Sequence, residues 1–382
     1  MVSIIIPAYN SATTIVETLE SVKAQTFTDY EVIVVDDCSK DNTLKMVEKW
    51  LSVNRCRLSS TPTEDDPNNK GLITNNWRIL RLAHNTGPAA ARNRGGRVAR
   101  GEWIAFLDSD DIWLPEKLEL QVQLATQYPK VALWCGKAIR FADGEQKSLL
   151  GDGFSLFENE TNKQQSITSN SLRAITLEDL ALRNSISTST VIVKRETFFA
   201  VGGFDEQFRG PEDYDLWLRV AAAGAKVNGY SLSVLEEDAE GVSLSNNQQP
   251  IANNPGAGSI VHCAIPVAFL CLRPGSLSME DRTFLPQVMR VLDKAYGAGG
   301  ALEAFQHLKR VTISAQYWSG SWMAFSRGAR WTAVRLLSKA WRLHGEAGYS
   351  VKRPWLRVVT QYLCGRCVIR KNRPEVAGRQ YR

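Results

Sequence analysis

Three acidic clusters in this chain have the residue types and the placement to handle a charged, metal-bound ligand. Asp108-Ser109-Asp110-Asp111 ends the apolar run Trp103-Ile104-Ala105-Phe106-Leu107. Asp36-Asp37 ends a second run, Tyr30 to Val35, and Glu212-Asp213 follows the turn residues Gly210-Pro211. A continuous apolar run reads as a strand buried on both faces, and in open α/β sheets ligands bind just beyond the strands' carboxyl ends. Hard carboxylate oxygens favour Mg²⁺ or Mn²⁺, which take one or two carboxylates and let phosphates and waters complete the shell. The chemistry so indicated is the handling of a nucleoside diphosphate. Taken singly, each cluster also fits a helix start, where carboxylates complement the dipole.

The elements that must hold these groups follow from periodicity. Val2 to Asn10 reads as a strand, Ile15, Leu19 and Val22 share a helix face, and Tyr30 to Asp37 reads as the next strand. Leu44, Val47 and Leu51 mark another helix, Arg78 to Leu82 a third strand, and Pro88 the first turn of the helix after it. The helix opened by Glu212 continues through Leu216 to Ala223. This is a doubly wound nucleotide-binding layout.

Five segments in order resemble the family 2 inverting glycosyltransferases of GT-A fold: Pro7-Ala8-Tyr9-Asn10, Val35-Asp36-Asp37-Cys38-Ser39, Asn85-Thr86-Gly87-Pro88-Ala89-Ala90-Ala91-Arg92-Asn93, Asp108-Ser109-Asp110-Asp111 and Glu212-Asp213. The resemblance covers roughly residues 1 to 230. It implies an α/β GT-A domain that transfers a sugar from a nucleoside diphosphate, UDP being the family's commonest carrier, to an acceptor hydroxyl with inversion. It implies that Pro7, Ala8, Tyr9, Asp36, Asp37, Arg92 and Asp108 bind the nucleotide sugar, that Asp110, with Asp108, holds Mn²⁺ or Mg²⁺, and that Asp213 is the catalytic base with Glu212 as runner-up. Arg273, in Leu272-Arg273-Pro274-Gly275-Ser276, resembles the family's closing loop and is expected to reach the diphosphate, although the His that often accompanies it is missing. His262 is expected to be a packed or surface residue.

Two polar insertions interrupt the pattern, near residues 56–77 and 236–258, and the first reads as a surface loop because breakers run through it. The segment from Gly136 to Thr188 receives no assignment. The expected organisation is a catalytic domain over 1–285 and a helical, basic C-terminal region over 286–382.

Charge is unevenly spread. From Ala304 onward there are 16 Lys and Arg against Glu346 and Glu375, in a chain whose net charge is +6. That region interleaves Trp318, Trp322, Trp331, Trp341 and Trp355 with basic residues, the signature of helices lying on an anionic membrane surface. The competing reading has Tyr317 to Leu343 as helical core, leaving the tail past Lys352 as the membrane element. Nucleic acid is not expected, since no binding module accompanies the charge. The seven cysteines are odd in number and scattered, and no apolar window reaches the roughly twenty residues of a span. The expected location is therefore cytoplasmic, with the inner face of the cell membrane as a peripheral site.

The expected role is sugar transfer to a saccharide or lipid-linked saccharide in envelope or exopolysaccharide assembly. The alternative is a catalytically silent sugar-nucleotide-binding or scaffold protein. A nucleotidyltransferase would want a Gly-rich, basic triphosphate loop where Ala8-Tyr9-Asn10-Ser11 stands.

Overall fold

The computed structural model describes residues 1–54, 59–63, 66–73, 76–142, 171–227, 259–272 and 281–346. The first unit is β1 (Val2–Ala8), α1 (Ile15–Lys23) and β2 (Tyr30–Asp36). β1 and β2 are parallel, with Ala8 opposite Asp36. Their apolar runs are sorted by the two-residue period of a strand: Ile5, Ile33 and Val35 enter one core, Ile4, Ile6, Val32 and Val34 the other. Then come α2 (Thr43–Val53), β3 (Ser59–Thr63), β4 (Asp66–Ile73), β5 (Trp77–Arg81), α3 (Pro88–Val98), β6 (Trp103–Phe106), β7 (Ile112–Trp113), α4 (Lys117–Gln127) and β8 (Val131–Ala142). The second half holds β9 (Leu172–Ile175), α5 (Leu177–Leu182), a 3-10 turn at Thr188–Thr190, β10 (Ile192–Lys194), α6 (Arg195–Ala200), α7 (Glu212–Val227) and β11 (Ser259–Leu272). The C-terminal helices are α8 (Asp281–Tyr296), α9 (Lys309–Ser326) and α10 (Arg330–Glu346).

One sheet joins the strands in the order β3-β4-β5-β2-β1-β6-β10-β8-β11-β7, with β9 also paired to β11. The chain leaves β1 toward β2 on one side, and α3 later returns it to β6 on the other. Connections diverge at the β1–β6 boundary, which opens a crevice beyond the carboxyl ends of those strands. α3 lies close over β1: a Cβ on Gly95 would sit 2.6 Å from Ile5 Cγ2, so glycine permits the approach.

Two expectations need correction. The segment read as a surface loop after residue 56 contributes the antiparallel hairpin β3–β4, and β4 pairs with β5 at the sheet edge. Edge strands tolerate Pro and turn residues that hide a strand pattern in the sequence. The division at 285/286 falls inside α8, whose Val288, Val291, Leu292 and Tyr296 share one core with Tyr214 and Trp217 of α7. Lys294 of α8 reinforces the join, with Nζ 2.8 Å from Asp205 Oδ2 and 2.7 Å from Asp215 Oδ1. Part of the unassigned middle segment is structured as β8, β9 and α5, the last begun by a capping box between Thr176 and Asp179. The insertion at 236–258, Arg273 and the tail past Lys352 lie outside the described residues.

Candidate active site

The turn after β6 alternates its side chains. Asp108 and Asp110 stay half-buried while Ser109 between them is buried. Ser109 points back into the fold, its Oγ 2.6 Å from Ser11 Oγ and its carbonyl accepting Thr14 Oγ1 at 2.9 Å. Asp-x-Asp thereby places two hard-oxygen groups on one side of the turn, beside the β1–β6 crevice. That donor set fits one Mg²⁺ or Mn²⁺ completed by phosphate and water. No group of three His, Cys, Asp or Glu side chains able to hold a metal occurs among the described residues.

Asp111 has a different task. Its Oδ1 accepts the Cys271 amide at 2.9 Å and its Oδ2 accepts Ser189 Oγ at 2.5 Å, fastening β11 and the 3-10 turn to the acidic turn. Burial, and then the charges of Asp108 and Asp110, push its carboxyl well above the usual carboxylate range.

The end of β2 divides its labour in the same way. Asp37 accepts from the Thr86 amide at 2.7 Å, Thr86 Oγ1 at 3.0 Å and the Gly87 amide at 2.8 Å, so both its oxygens hold the loop that starts α3. Gly87 has φ of 93°, a left-handed conformation that suits glycine at this bend. Asp36 is buried; its Oδ1 accepts the Ser39 amide at 3.3 Å, and its Oδ2 lies 3.7 Å from Arg81 Nε with no hydrogen-bond donor. Pro7 and Ala8 are buried within β1, and Tyr9 is the first exposed side chain beyond it. Asn10 turns the chain there with φ of 52°, its Oδ1 accepting the Lys40 amide at 2.8 Å.

Arg92 ties the clusters together from inside α3. Its Nη2 donates to Asp108 Oδ1 at 2.6 Å and its Nη1 to Glu212 Oε1 at 2.8 Å, with the guanidinium 5.3 Å from the centre of the Phe204 ring. Burial opposes the charge, but Asp108 and Glu212 outweigh it and hold the group firmly cationic. The next residue holds the following turn: Asn93 Nδ2 donates to Phe204 O and to Glu206 Oε1, each at 2.8 Å, and its Oδ1 accepts the Phe204 amide at 2.9 Å.

At the start of α7 the two acids diverge. Glu212 is buried, with Oε1 on Arg92 and Oε2 accepting the Gly210 amide at 2.6 Å. Asp213 remains half-buried. Its Oδ1 accepts the Tyr214 amide at 2.6 Å and Asn184 Nδ2 at 3.5 Å, and its Oδ2 accepts Thr188 Oγ1 at 3.3 Å. Burial, then the neighbouring Glu212 charge, raise its pKa to about 7 against the opposing pull of Arg92. A carboxyl titrating near neutrality is suited to take a proton from a hydroxyl.

The structure thus brings Arg92, Asp108, Glu212 and Asp213 into one connected set, with Asp110 and Asp111 on the same turn and Asp36, Asp37 and Tyr9 at the neighbouring strand ends. His262 lies on β11 opposite Cys135 and Arg173, away from these groups. Sequence reasoning missed Asn184, Thr188 and Ser189. Ser189 Oγ also accepts the Asp108 amide, at 3.1 Å, so one turn contacts both acidic clusters. The signal was the hydroxyl run Ser187-Thr188-Ser189-Thr190 just before the buried apolar residues Val191, Ile192 and Val193.

Comparison with known proteins adds family and fold. Residues 3–177 match the family described as Glycosyl transferase family 2. The chain is 30% identical over 221 residues to the Escherichia coli UDP-Glc:alpha-D-GlcNAc-diphosphoundecaprenol beta-1,3-glucosyltransferase WfgD, an alignment covering 58% of this chain and 69% of that one. It spans 62% of the length of one further relative and 82% of another. In fold it is similar to S. aureus TarS 1-349 in complex with UDP-GlcNAc, with a TM-score of 0.50, 16% identity, and 92% and 93% of the two chains covered. The mannosyltransferase PcManGT from Pyrobaculum calidifontis, in complex with GDP-Man and Mn²⁺, gives a TM-score of 0.50 at 18% identity over 95% of this chain and 80% of that one.

Proposed function

The chain belongs to glycosyl transferase family 2, with a GT-A-type fold, and from that premise we propose that it moves a sugar from a nucleoside diphosphate, UDP by preference, to a saccharide or lipid-linked saccharide hydroxyl with inversion. The observation that carries the reading is the pairing at α7: Glu212 is consumed by Arg92 and Gly210, whereas Asp213 is half-buried with its pKa raised to about 7. Asp213 takes the acceptor proton as the hydroxyl oxygen attacks the anomeric carbon and the bond to the diphosphate breaks. One displacement inverts that carbon. Glu212 does not touch the reacting atoms in this reading; with Arg92 it fixes the base relative to Asp108.

Asp108 and Asp110 would hold Mn²⁺ or Mg²⁺, which when bound neutralises charge on the departing diphosphate. The Mn²⁺ in the PcManGT complex supports that choice. Asp36, with a buried oxygen lacking a donor, and Tyr9 are placed to receive the base and ribose; Asp37 and Arg92 act on the protein side by shaping that receptor. Arg273 keeps its proposed role at the diphosphate. The WfgD name supports a lipid-linked acceptor and a role in envelope or exopolysaccharide assembly. Because nucleotide sugars are cytoplasmic donors, the reading puts the enzyme on the inner side of the cell membrane, attached peripherally.

The test is a screen of UDP- and GDP-sugars with Mn²⁺, following donor hydrolysis and transfer to saccharide acceptors. Mn²⁺-dependent turnover of at least one donor is expected. Tight Mn²⁺·UDP binding with no turnover of any donor would replace this reading with the silent sugar-nucleotide binder.

A further inference from the structure

α9 and α10 fold back on each other. Ser314 Oγ donates to Ala340 O at 2.8 Å and Ser321 Oγ to Ala333 O at 2.9 Å, so seven residues forward on one helix match seven back on the other. The residues between them are small: Ser314, Ser321, Ala324, Ala333 and Ala340 are all buried. Gly320 closes on α8, where a Cβ would come within 2.7 Å of Leu285. Several large side chains are nevertheless left at the surface, with Trp318 38%, Trp322 58%, Trp331 88%, Val334 45% and Trp341 62% exposed. At about 100° per residue, Trp331 lies opposite Ala333 and Ala340 on α10, and Val334 and Trp341 lie on its flank. A helix pair facing only water has the opposite polarity, large apolar groups in and polar groups out.

The other exposed large hydrophobics among the described residues, Met1, Tyr9, Val53 and Phe199, are scattered along the chain. Those of the hairpin are concentrated and ringed by charge of one sign. Residues 309–346 contain seven Lys and Arg and one acid, Glu346. Arg327, Arg330, Arg335, Lys339 and Arg342 are exposed around the tryptophans.

We propose that the α9–α10 hairpin is a docking surface for an anionic lipid bilayer, with the tryptophans entering the headgroup layer and the surrounding Lys and Arg contacting lipid phosphates. An indole has an apolar body and one N–H donor, which suits the boundary between acyl chains and headgroups. Basic side chains add attraction that salt weakens. A second copy of the chain is the poorer occupant, because a two-fold interface would set the same basic patch against itself. This surface is separate from the acidic site, and its docking can be measured without a donor sugar.

The experiment uses the full chain with vesicles of phosphatidylcholine alone or mixed with phosphatidylglycerol, followed by co-sedimentation at low and high salt. Bromine-labelled acyl chains in the same vesicles should quench tryptophan fluorescence. Binding is expected to the mixed vesicles at low salt, with release at high salt. The exposed pair Trp331→Ser/Trp341→Ser should bind at least about tenfold more weakly, melt at the same temperature, and turn over donor in solution as the parent does. No binding at low salt, equal binding to both vesicle types, or full binding by the double variant would overturn the proposal. So would a dimer in solution that the two substitutions dissociate.

Discussion

The acidic turn after β6 and the acidic start of α7 handle the same problem with opposite placements. After β6 the first and third acids, Asp108 and Asp110, stay half-exposed and the last, Asp111, is turned in to hold Cys271 and Ser189. At α7 the first acid, Glu212, is turned in against Arg92 and Gly210, and the second, Asp213, is kept accessible. In each case one carboxylate is consumed by the protein so that its neighbour can face a ligand. The difference lies in what surrounds the accessible group. Asp108 has the Arg92 guanidinium 2.6 Å away, whereas Asp213 is held by neutral donors beside a second carboxylate and so binds a proton near neutrality.

Arg92 is the joint between the two regions, and removing it should have the largest effect. Arg92→Met leaves Glu212 buried with one partner lost, a change that typically costs about 3–5 kcal/mol. Urea unfolding should report that loss, and activity should fall with it; an Arg92→Met protein as stable as the parent would break the account of Arg92 as the joint.

The next contrast lies within the turn. Asp110→Asn should abolish Mn²⁺-dependent UDP binding in calorimetry while leaving the melting temperature nearly unchanged. Asp111→Asn should do little to either, because Asn retains an acceptor for the Cys271 amide and resembles the protonated carboxyl that burial favours. Equal losses in both variants would mean that the turn acts as one unit.

Smaller effects should appear in pH profiles. The base must be ionised, so kcat/KM should drop as pH falls below about 7, the value to which Asp213 is raised. Thr188 donates to the ionised form, and Thr188→Val should move that acid limb upward while Thr188→Ser restores it. An unmoved limb in Thr188→Val would remove the 3-10 turn from the control of Asp213. Stability runs the opposite way with pH: the raised carboxyl favours the fold at acid pH, and that contribution is lost as pH rises from the unfolded value through about 7. Asp213→Asn should therefore raise the melting temperature more at alkaline than at acid pH.

The strand ends and helix starts were legible because their cues are local. The apolar runs into Asp36 and Asp108, Pro88 at the start of α3 and Ser109 between two acids all lie within a few residues of the feature they predict. The division of labour among the acids was not legible, since the partners that consume Asp37, Asp111 and Glu212 stand 49, 160 and 120 residues away in Thr86, Cys271 and Arg92. The same holds for the C-terminal helices. Their aromatics read equally well as core or as surface until the small residues Ala333 and Ala340 are seen to occupy the interior of the pair. Breakers concealed the β3–β4 hairpin, which is defined by backbone pairing at an edge.

The central claim is that Asp213 removes the acceptor proton while the turn after β6 holds the donor. The most direct measurement sets single-turnover transfer beside Mn²⁺·UDP affinity for Asp213→Asn. The account predicts transfer reduced by at least about a hundredfold with affinity unchanged. Transfer at the parent rate, or a loss of Mn²⁺·UDP affinity equal to the loss of rate, would contradict it.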